Sequence, residues 1–438
     1  MLGIVAPGRP LRMRLRGLLR LPRDARRDAA QGREAVAGLR GGGARRLVVF
    51  VDRPFEPTAD SASHRLAHLL QIAVADGWDA SLYSTRSDRW YEVEPDGVLV
   101  PAEPPAVGRV AWVVRPEAAA TVMPTLAALR PDLRVVYDSM DLHYLRLERR
   151  SRVTGSRGLA AQARLMKSLE REVASSADVA VAITDREAVL LQALAAEAHV
   201  AVLPNVHSPR VDEPPPLASR SGLLFVGSFS HAPNVDAVRT LAGDVMPLVW
   251  RERPELQLHV AGRGLELRLL DRRIVVHGFV DDLDALADRA ALLVAPLRFG
   301  AGLKGKIGYA LARGLPVVTT EVGAEGFVRR DGMVVAPDGD WQAFADRALA
   351  LLADPDLWAR TSAAGIALTR EEYSPERLAV PFRQILEPEP APRPAPSRAR
   401  RIGTRALGAV LGVVTLLVLL FVALPEALGD RPYNALGH

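Results

Sequence analysis

Residues Gly300 to Gly326 read GAGLKGKIGYALARGLPVVTTEVGAEG. Three glycines and two lysines come first, then an apolar segment of helical character, then the strand-like LPVVTT (315–320). The apolar run ALLVAPL (291–297) leads in. Strand, glycine-rich turn, helix and strand make one step of a parallel sheet. Glycines let the backbone come close to a ligand, and a helix N-terminus attracts anions. The stretch therefore has the chemistry of a phosphate cradle.

The same rhythm extends in both directions. Upstream in the same half lie GLLFVG (222–227), LQLHVAG (256–262) and IVVHGFV (274–280), and downstream lies GMVVAP (332–337). Helical segments are predicted at 234–250, 303–313, 341–353 and 356–369. An earlier series begins at residue 46 with RLVVFV and continues through DASLYS, RVAWVV, LRVVYD, DVAVAIT and HVAVLP. The Pro-rich SPRVDEPPPLASRSG (208–222) separates the two series. The expected architecture is α/β: two Rossmann-like doubly wound domains, 46–208 and 220–373, facing a cleft. A terminal helix is expected over 374–387. Ligands of such folds bind outside the carboxyl ends of the strands.

The net charge of +5 is unevenly spread. The extension 1–45 and the Pro/Arg-rich linker 388–405 are basic, whereas residues 47–390 carry a net −8. Basic ends on an acidic body suit an anionic membrane surface better than a nucleic acid, and no nucleic-acid partner is expected. Ala406 to Leu424 is a run of 19 uncharged residues, long enough to span about 30 Å of hydrocarbon. Arg398, Arg400, Arg401 and Arg405 precede it and only Arg431 follows. The positive-inside rule then places the large domains on the cytoplasmic side of an inner membrane, anchored by a single pass. No apolar segment follows the N-terminal arginines, so no signal peptide is expected. Leu11 to Leu21 reads equally as an interfacial amphipathic helix or as a strand. The absence of cysteine excludes disulfides, zinc–thiolate sites and a cysteine nucleophile.

Candidate binding residues gather at the predicted strand ends of the second half. Gly227 and Ser228 follow LLFV, and Gly262-Arg263-Gly264 follows LHVA. Arg298, Gly300 and Gly302 follow LLVAPL, with Lys304 and Lys306 opening a helix. Backbone amides and two ammonium groups at one sheet edge can hold a pyrophosphate. In the first half, VVYDSMDLHYLRLERR places Asp138, Asp141 and His143 after a strand. Asp141 and His143 are the candidate catalytic residues, since an acceptor hydroxyl must lose a proton there. The alternative is that the acids cap a turn and the histidine fills a wall. Asp60, Ser61, Ser63, His64 and Arg65 are candidate contacts to acceptor or phosphate. Asp281 or Asp282 in VDDLDAL reads as a helix N-cap, so no metal is assigned and no cofactor is expected.

The run VHGFVDDLDAL…LLVAPLRFGAGLKGKIGYALARGLPVVTTEVGAEG resembles the donor domain of family 4 glycosyltransferases, which have the GT-B fold. LLFVGSFSHAPNVDAVRTL and LQLHVAGRG resemble that domain's opening segments, and VAVLPN the segment leading into it. The likeness covers about 46–387 and is most specific over 222–337. It implies transfer of a sugar from a nucleotide-sugar with retained anomeric configuration, usually without a metal, onto a glycan or lipid-linked acceptor. Many members carry two glutamates where this chain has Ala301 and Tyr309, the second of which binds the donor ribose. Glu325 is a candidate substitute, or a cap for the next helical turn. A sugar-nucleotide epimerase shares the fold, and a non-catalytic descendant binding a nucleotide-sugar or partner suits the missing glutamates.

Overall fold

The computed structural model describes residues 30–387 apart from 33, 38, 43–44, 57–60, 130–132 and 210–212. The 11–21 segment, Asp60, the 388–405 linker and the 406–424 run lie outside the described residues. Among the described residues no helix is long and apolar enough to cross a membrane. The described residues divide into two compact units, one of 30–204 with 379–387, the other Asn205–Leu378.

The first unit has strands β1 (Arg40–Gly42), β2 (Arg46–Val51), β3 (Asp79–Ser84), β4 (Arg89–Val93), β5 (Leu99–Ala102), β6 (Ala106–Val107), β7 (Val110–Val114), β8 (Arg134–Asp138), β9 (Val179–Ala182) and β10 (Val200–Val202). Eight of them form one sheet in the order β10-β9-β8-β7-β2-β3-β4-β5, and β1 pairs separately with β6. Pairing is parallel from β10 to β3, and β4 and β5 continue antiparallel. Every residue of β7 is buried, as are all but the first of β2. Such unbroken apolar runs suit a parallel sheet covered on both faces. Its helices are α1 (Ser61–Ala75), α2 (Arg115–Leu129), α3 (His143–Thr154), α4 (Arg157–Ser176) and α5 (Asp185–Leu194).

The pair β4–β5 was not anticipated from sequence. Strand β4 mixes polar with apolar residues, β5 is short, half-exposed and contains Pro101, and Pro95-Asp96-Gly97 makes the turn between them. Gly97 takes φ +84° there, and the Glu94 N–H donates to the Val98 carbonyl at 2.8 Å.

One buried ion pair ties this unit together. Arg65 on α1 and Asp138 at the end of β8 are both fully buried and meet at 2.6 Å. Arg65 also donates to the Leu203 and Pro204 carbonyls at 2.8 and 3.0 Å, and Trp112 Nε1 donates to Asp138 at 3.0 Å. Arg65 is therefore spoken for inside the fold and is not an accessible contact for acceptor or phosphate, contrary to the sequence expectation. The last helix, α13 (Pro375–Leu386), returns to this unit from Ala379. Phe382 meets Trp112 edge-on at 5.4 Å between centroids, and Arg383 forks onto Asp76.

The second unit has β11 (Leu223–Val226), β12 (Leu258–Ala261), β13 (Ile274–Gly278), β14 (Leu292–Ala295), β15 (Val317–Thr320) and β16 (Met333–Ala336). All are parallel, in the order β13-β12-β11-β14-β15-β16. Its helices are α6 (Ala232–Thr240), α7 (Met246–Glu252), α8 (Leu283–Arg289), α9 (Gly305–Ala312), α10 (Glu321–Ala324), α11 (Trp341–Ala353) and α12 (Pro355–Glu372). The helix expected over 234–250 contains a π-turn at Leu241–Val245 between α6 and α7. The strand order reverses between β11 and β14, and a crevice opens at the carboxyl ends of strands at such a reversal.

Removing one partner of the Arg65–Asp138 pair leaves a buried, uncompensated charge. Arg65→Leu and Asp138→Asn should each destabilise the first unit by about 3–5 kcal/mol, measured by urea unfolding. A loss below about 1 kcal/mol would show that the buried partner finds other compensation.

Candidate functional site

On the β12 side of the switch point, the strand ends meet through backbone that only glycine permits. Gly262, after β12, has φ +140°, and a Cβ there would lie 1.8 Å from the Gly227 carbonyl oxygen. Gly227, after β11, is held by its N–H donating to the Ala261 carbonyl at 3.0 Å, and a Cβ on it would strike the Asn234 side chain. Two strand ends thus approach each other without side chains between them. Ser228 follows, its Oγ 2.9 Å from that of Ser230.

Across the reversal, β14 runs into Arg298, Gly300, Gly302 and Lys304 and then α9. Gly302 takes φ +65°, and the Lys304 ammonium donates to its carbonyl at 2.8 Å. Helix α9 begins at Gly305 with no capping side chain and no acid in its first turn. Its positive end is therefore open to an anion. Lys306, in that first turn, donates to Asn234 Oδ1 and lies 4.7 Å from the Phe225 ring. Asn234, on α6, donates in turn to the Ser228 carbonyl at 2.7 Å. This buried asparagine couples the β11 turn to the lysine loop, and no motif in the sequence singled it out. Burial, with Lys304 alongside, pushes the Lys306 ammonium down to about 7. Two neighbouring ammonium groups, one brought near neutrality by burial, can accept a diphosphate.

Other sequence candidates take definite places. Arg298 forks onto Asp236 of α6, with Nε donating at 2.8 Å. Tyr309, one helical turn beyond Lys306, donates to Asp284 of α8 at 2.7 Å, and Arg313 pairs with the same carboxylate at 2.6 Å. Burial first, then that hydrogen bond, pushes the Tyr309 phenol up. Glu325 closes the short helix α10 as its C-cap and is half-buried. Asp282 caps α8, accepting from the Ala285 N–H at 2.8 Å, as its position in VDDLDAL suggested.

In the first unit, the turn after β8 brings together acids that the sequence scattered. His143 Nδ1 lies 3.2 Å from Glu117 of α2, and Nε2 lies 3.0 Å from Asp141. Asp141 also pairs with Arg146. Burial alone would lower the imidazole; the Glu117 carboxylate, aided by Asp141 and opposed by Arg146, outweighs it and pushes His143 up to about 10. Burial likewise raises Glu117, but the charge and hydrogen bond of His143 outweigh that and bring it down to about 2. His143 is thus an imidazolium with both nitrogens engaged and no lone pair for a proton. It can orient and supply charge; it is not a base in this state.

The start of α3 rests on two buried carboxylates that sequence reasoning missed. Glu170 of α4 accepts from the His143 and Tyr144 N–H groups at 2.9 and 3.0 Å, and Glu187 of α5 accepts from Leu142 at 3.1 Å. Burial pushes Glu170 up to about 8, against the pull of His143 and the two amides. Met140, just before Asp141, sits at φ +62°, and Arg115, which opens α2 directly after β7, at +72°. Non-glycine residues in this region are uncommon and cluster at functional sites.

Two titrations follow. The folded value of His143 lies above its ordinary 6.5, so its stabilisation is complete below about 6.5 and lost as pH rises through about 10. Unfolding midpoints in urea should fall over that window, and His143→Gln should flatten the fall. For Lys306, a bound anion restores the proton that burial removes. Pyrophosphate binding at pH 8 should therefore take up more protons in the native protein than in Lys306→Gln, read by calorimetry in buffers of different ionisation enthalpy. Equal uptake in both would remove Lys306 from the anion site.

Residues 220–354, which contain all six strands of the second sheet, match the family of glycosyl transferases group 1. No curated protein matches the chain in sequence. Sucrose-phosphate synthase from Thermosynechococcus elongatus is similar in structure, with a TM-score of 0.60 at 13% identity over 78% of this chain and 98% of that one. Alr3699/HepE of Anabaena, solved with UDP, gives 0.57 at 13% identity over 78% and 99%. TarM of S. aureus gives 0.51 at 13% identity over 64% of this chain, which spans only 54% of TarM. At these identities the likenesses speak for the fold: the chain has the α/β, GT-B-like architecture of these proteins, and its second unit carries the glycosyl transferases group 1 match.

Proposed function

We propose that the protein is a retaining glycosyltransferase of the hexosyltransferase type, moving a sugar from a nucleotide-sugar to a membrane-associated glycan or lipid-linked acceptor. The observation that carries this reading is the placement of the Gly227 turn and the Lys304–Lys306 loop on either side of the β11–β14 reversal, inside the group 1 match. The HepE structures with UDP and with UDP-glucose support a nucleotide-sugar as donor.

In this reading the amides opening α9, with Lys304 and Lys306, hold the donor diphosphate. Negative charge grows on the leaving phosphate as its bond to the sugar C1 breaks, and the two ammonium groups stabilise it. The acceptor oxygen bonds to C1 on the face the phosphate leaves, which retains the configuration, and its proton passes to the departing phosphate oxygen. No side-chain base is then required, in keeping with a doubly bonded His143. Asp141 and His143 orient the acceptor, and Gly227, Ser228, Arg298, Gly300, Gly302 and Glu325 shape the donor site. No metal or cofactor enters the scheme.

The 406–424 run and the arginines before it support a single-pass anchor in the inner membrane, with both units on the cytoplasmic side. Tethering raises the encounter rate with an acceptor already in the bilayer. A second reading, a non-catalytic nucleotide-sugar binder, is favoured by one observation. The family resemblance implies a glutamate where this chain has Tyr309, and the tyrosine hydroxyl is committed to Asp284.

Calorimetry of the full-length protein with a panel of nucleotide-sugars tests the reading. The cognate donor should bind, and Lys304→Ala should weaken it by about 1.5–3 kcal/mol, tenfold or more. Turnover should survive EDTA, and NMR of the product should show the donor's anomeric configuration. Binding without turnover on any acceptor would establish the binder instead.

A further inference from the structure

Within an acidic body, residues 143–176 hold eight cations and three carboxylates. Helices α3 and α4 form a hairpin here. Gly155, at φ +68°, closes α3, and Ser156 caps α4 by accepting from the Leu159 N–H. Helix α4 turns Leu159, Met166, Leu169 and Val173 inward. Its opposite face presents Arg157, Arg164, Lys167 and Arg171, all exposed, over 14 residues or about 21 Å of helix.

Two of the three carboxylates of the hairpin are engaged elsewhere, and the third, Glu172, is half-buried next to Arg171. Glu170 is buried as the cap of α3, and Glu148 pairs with Arg152. None of the four cations forms an ion pair with a described residue; Lys167 lies 5.1 Å from the Tyr144 ring. Like charges aligned on one helix face repel and cost stability. An extended anion converts that cost into binding. Helix α4 contains no aromatic residue on which a base could stack, as single-stranded nucleic acid would require.

We propose that the Arg157–Arg171 face of α4 docks the first unit onto an anionic lipid surface. The inference rests on the membrane part of the preceding reading, because the bilayer in question is the one the 406–424 run would enter. Each cation held against an anionic leaflet contributes roughly fivefold in partitioning, so four contribute on the order of several hundredfold. The attraction fades as the screening length falls from about 10 Å at 0.1 M salt to about 3 Å at 1 M.

The chain has no cysteine, so Ser168→Cys, exposed on the same face, accepts a single environment-sensitive fluorophore in the full-length protein. With phosphatidylcholine vesicles containing 30% phosphatidylglycerol at 0.1 M NaCl, emission should shift to the blue and at least double, and 1 M NaCl should reverse both. Replacing Arg157, Arg164, Lys167 and Arg171 together by glutamine should abolish the response while leaving the thermal unfolding midpoint and flotation with vesicles intact. A response equal in pure phosphatidylcholine, or one that survives the fourfold substitution, overturns the proposal. So does a stronger response to duplex DNA at equal phosphate, which would make nucleic acid the partner. Flotation with both vesicles and a silent probe defeats this inference alone. Flotation with neither defeats the membrane reading beneath it.

Discussion

A parallel sheet buried on both faces has nowhere to put polar chemistry except its edges. Five of the eight strands in the first sheet and four of the six in the second are mostly buried, which leaves polar chemistry mainly to the loops at their ends. Strand order then selects one place on that edge. In the second unit the reversal between β11 and β14 separates the loops that follow them, and the chain fills the gap with glycine, amide and ammonium groups rather than apolar side chains. The contact between Gly262 and the Gly227 carbonyl shows how closely the strand ends are drawn together: any Cβ there would be driven into backbone.

The two units use buried charge differently. Arg65 and Asp138 are saturated with partners and serve the fold, because an unpaired ion in that position would be far costlier than a paired one. Around the turn after β8, Glu117, His143 and Glu170 crowd groups whose protonation is displaced from ordinary values. Displaced titration of this kind marks functional positions more often than structural ones. Glu170 joins the two roles, since the group that caps α3 has its own titration displaced upward by burial.

Much of this was legible before any coordinates. The strand RLVVFV occurs with the expected residues, because a continuous apolar segment of that length has one stable use in an α/β protein, and DASLYS follows as its parallel partner, burying Ser81 and Ser84 along with Ala80, Leu82 and Tyr83. The Gly300–Lys306 loop was legible for the same reason a phosphate cradle is: close backbone and positive charge before a helix. The β4–β5 pair was not, since strands exposed on one side carry a weak apolar signal. Asn234, Glu117, Glu170 and Glu187 were also missed. Each is an ordinary polar residue on a helix, and nothing local distinguishes a buried one from a solvated one.

By itself, then, the sequence determined the class of fold, the two series of strands and the chemistry of the loop at 300–306, all of which depend on residues close together in the chain. Tertiary structure decided which charges are available. Arg65 and His143 look alike in sequence, as polar residues after a strand. One is locked to Asp138 across 73 positions of chain, and the other is held as a cation by Glu117, 26 positions away. Whether a charge is spent on the fold or left for a ligand depends on long-range partners and on burial, and neither is written in any local pattern.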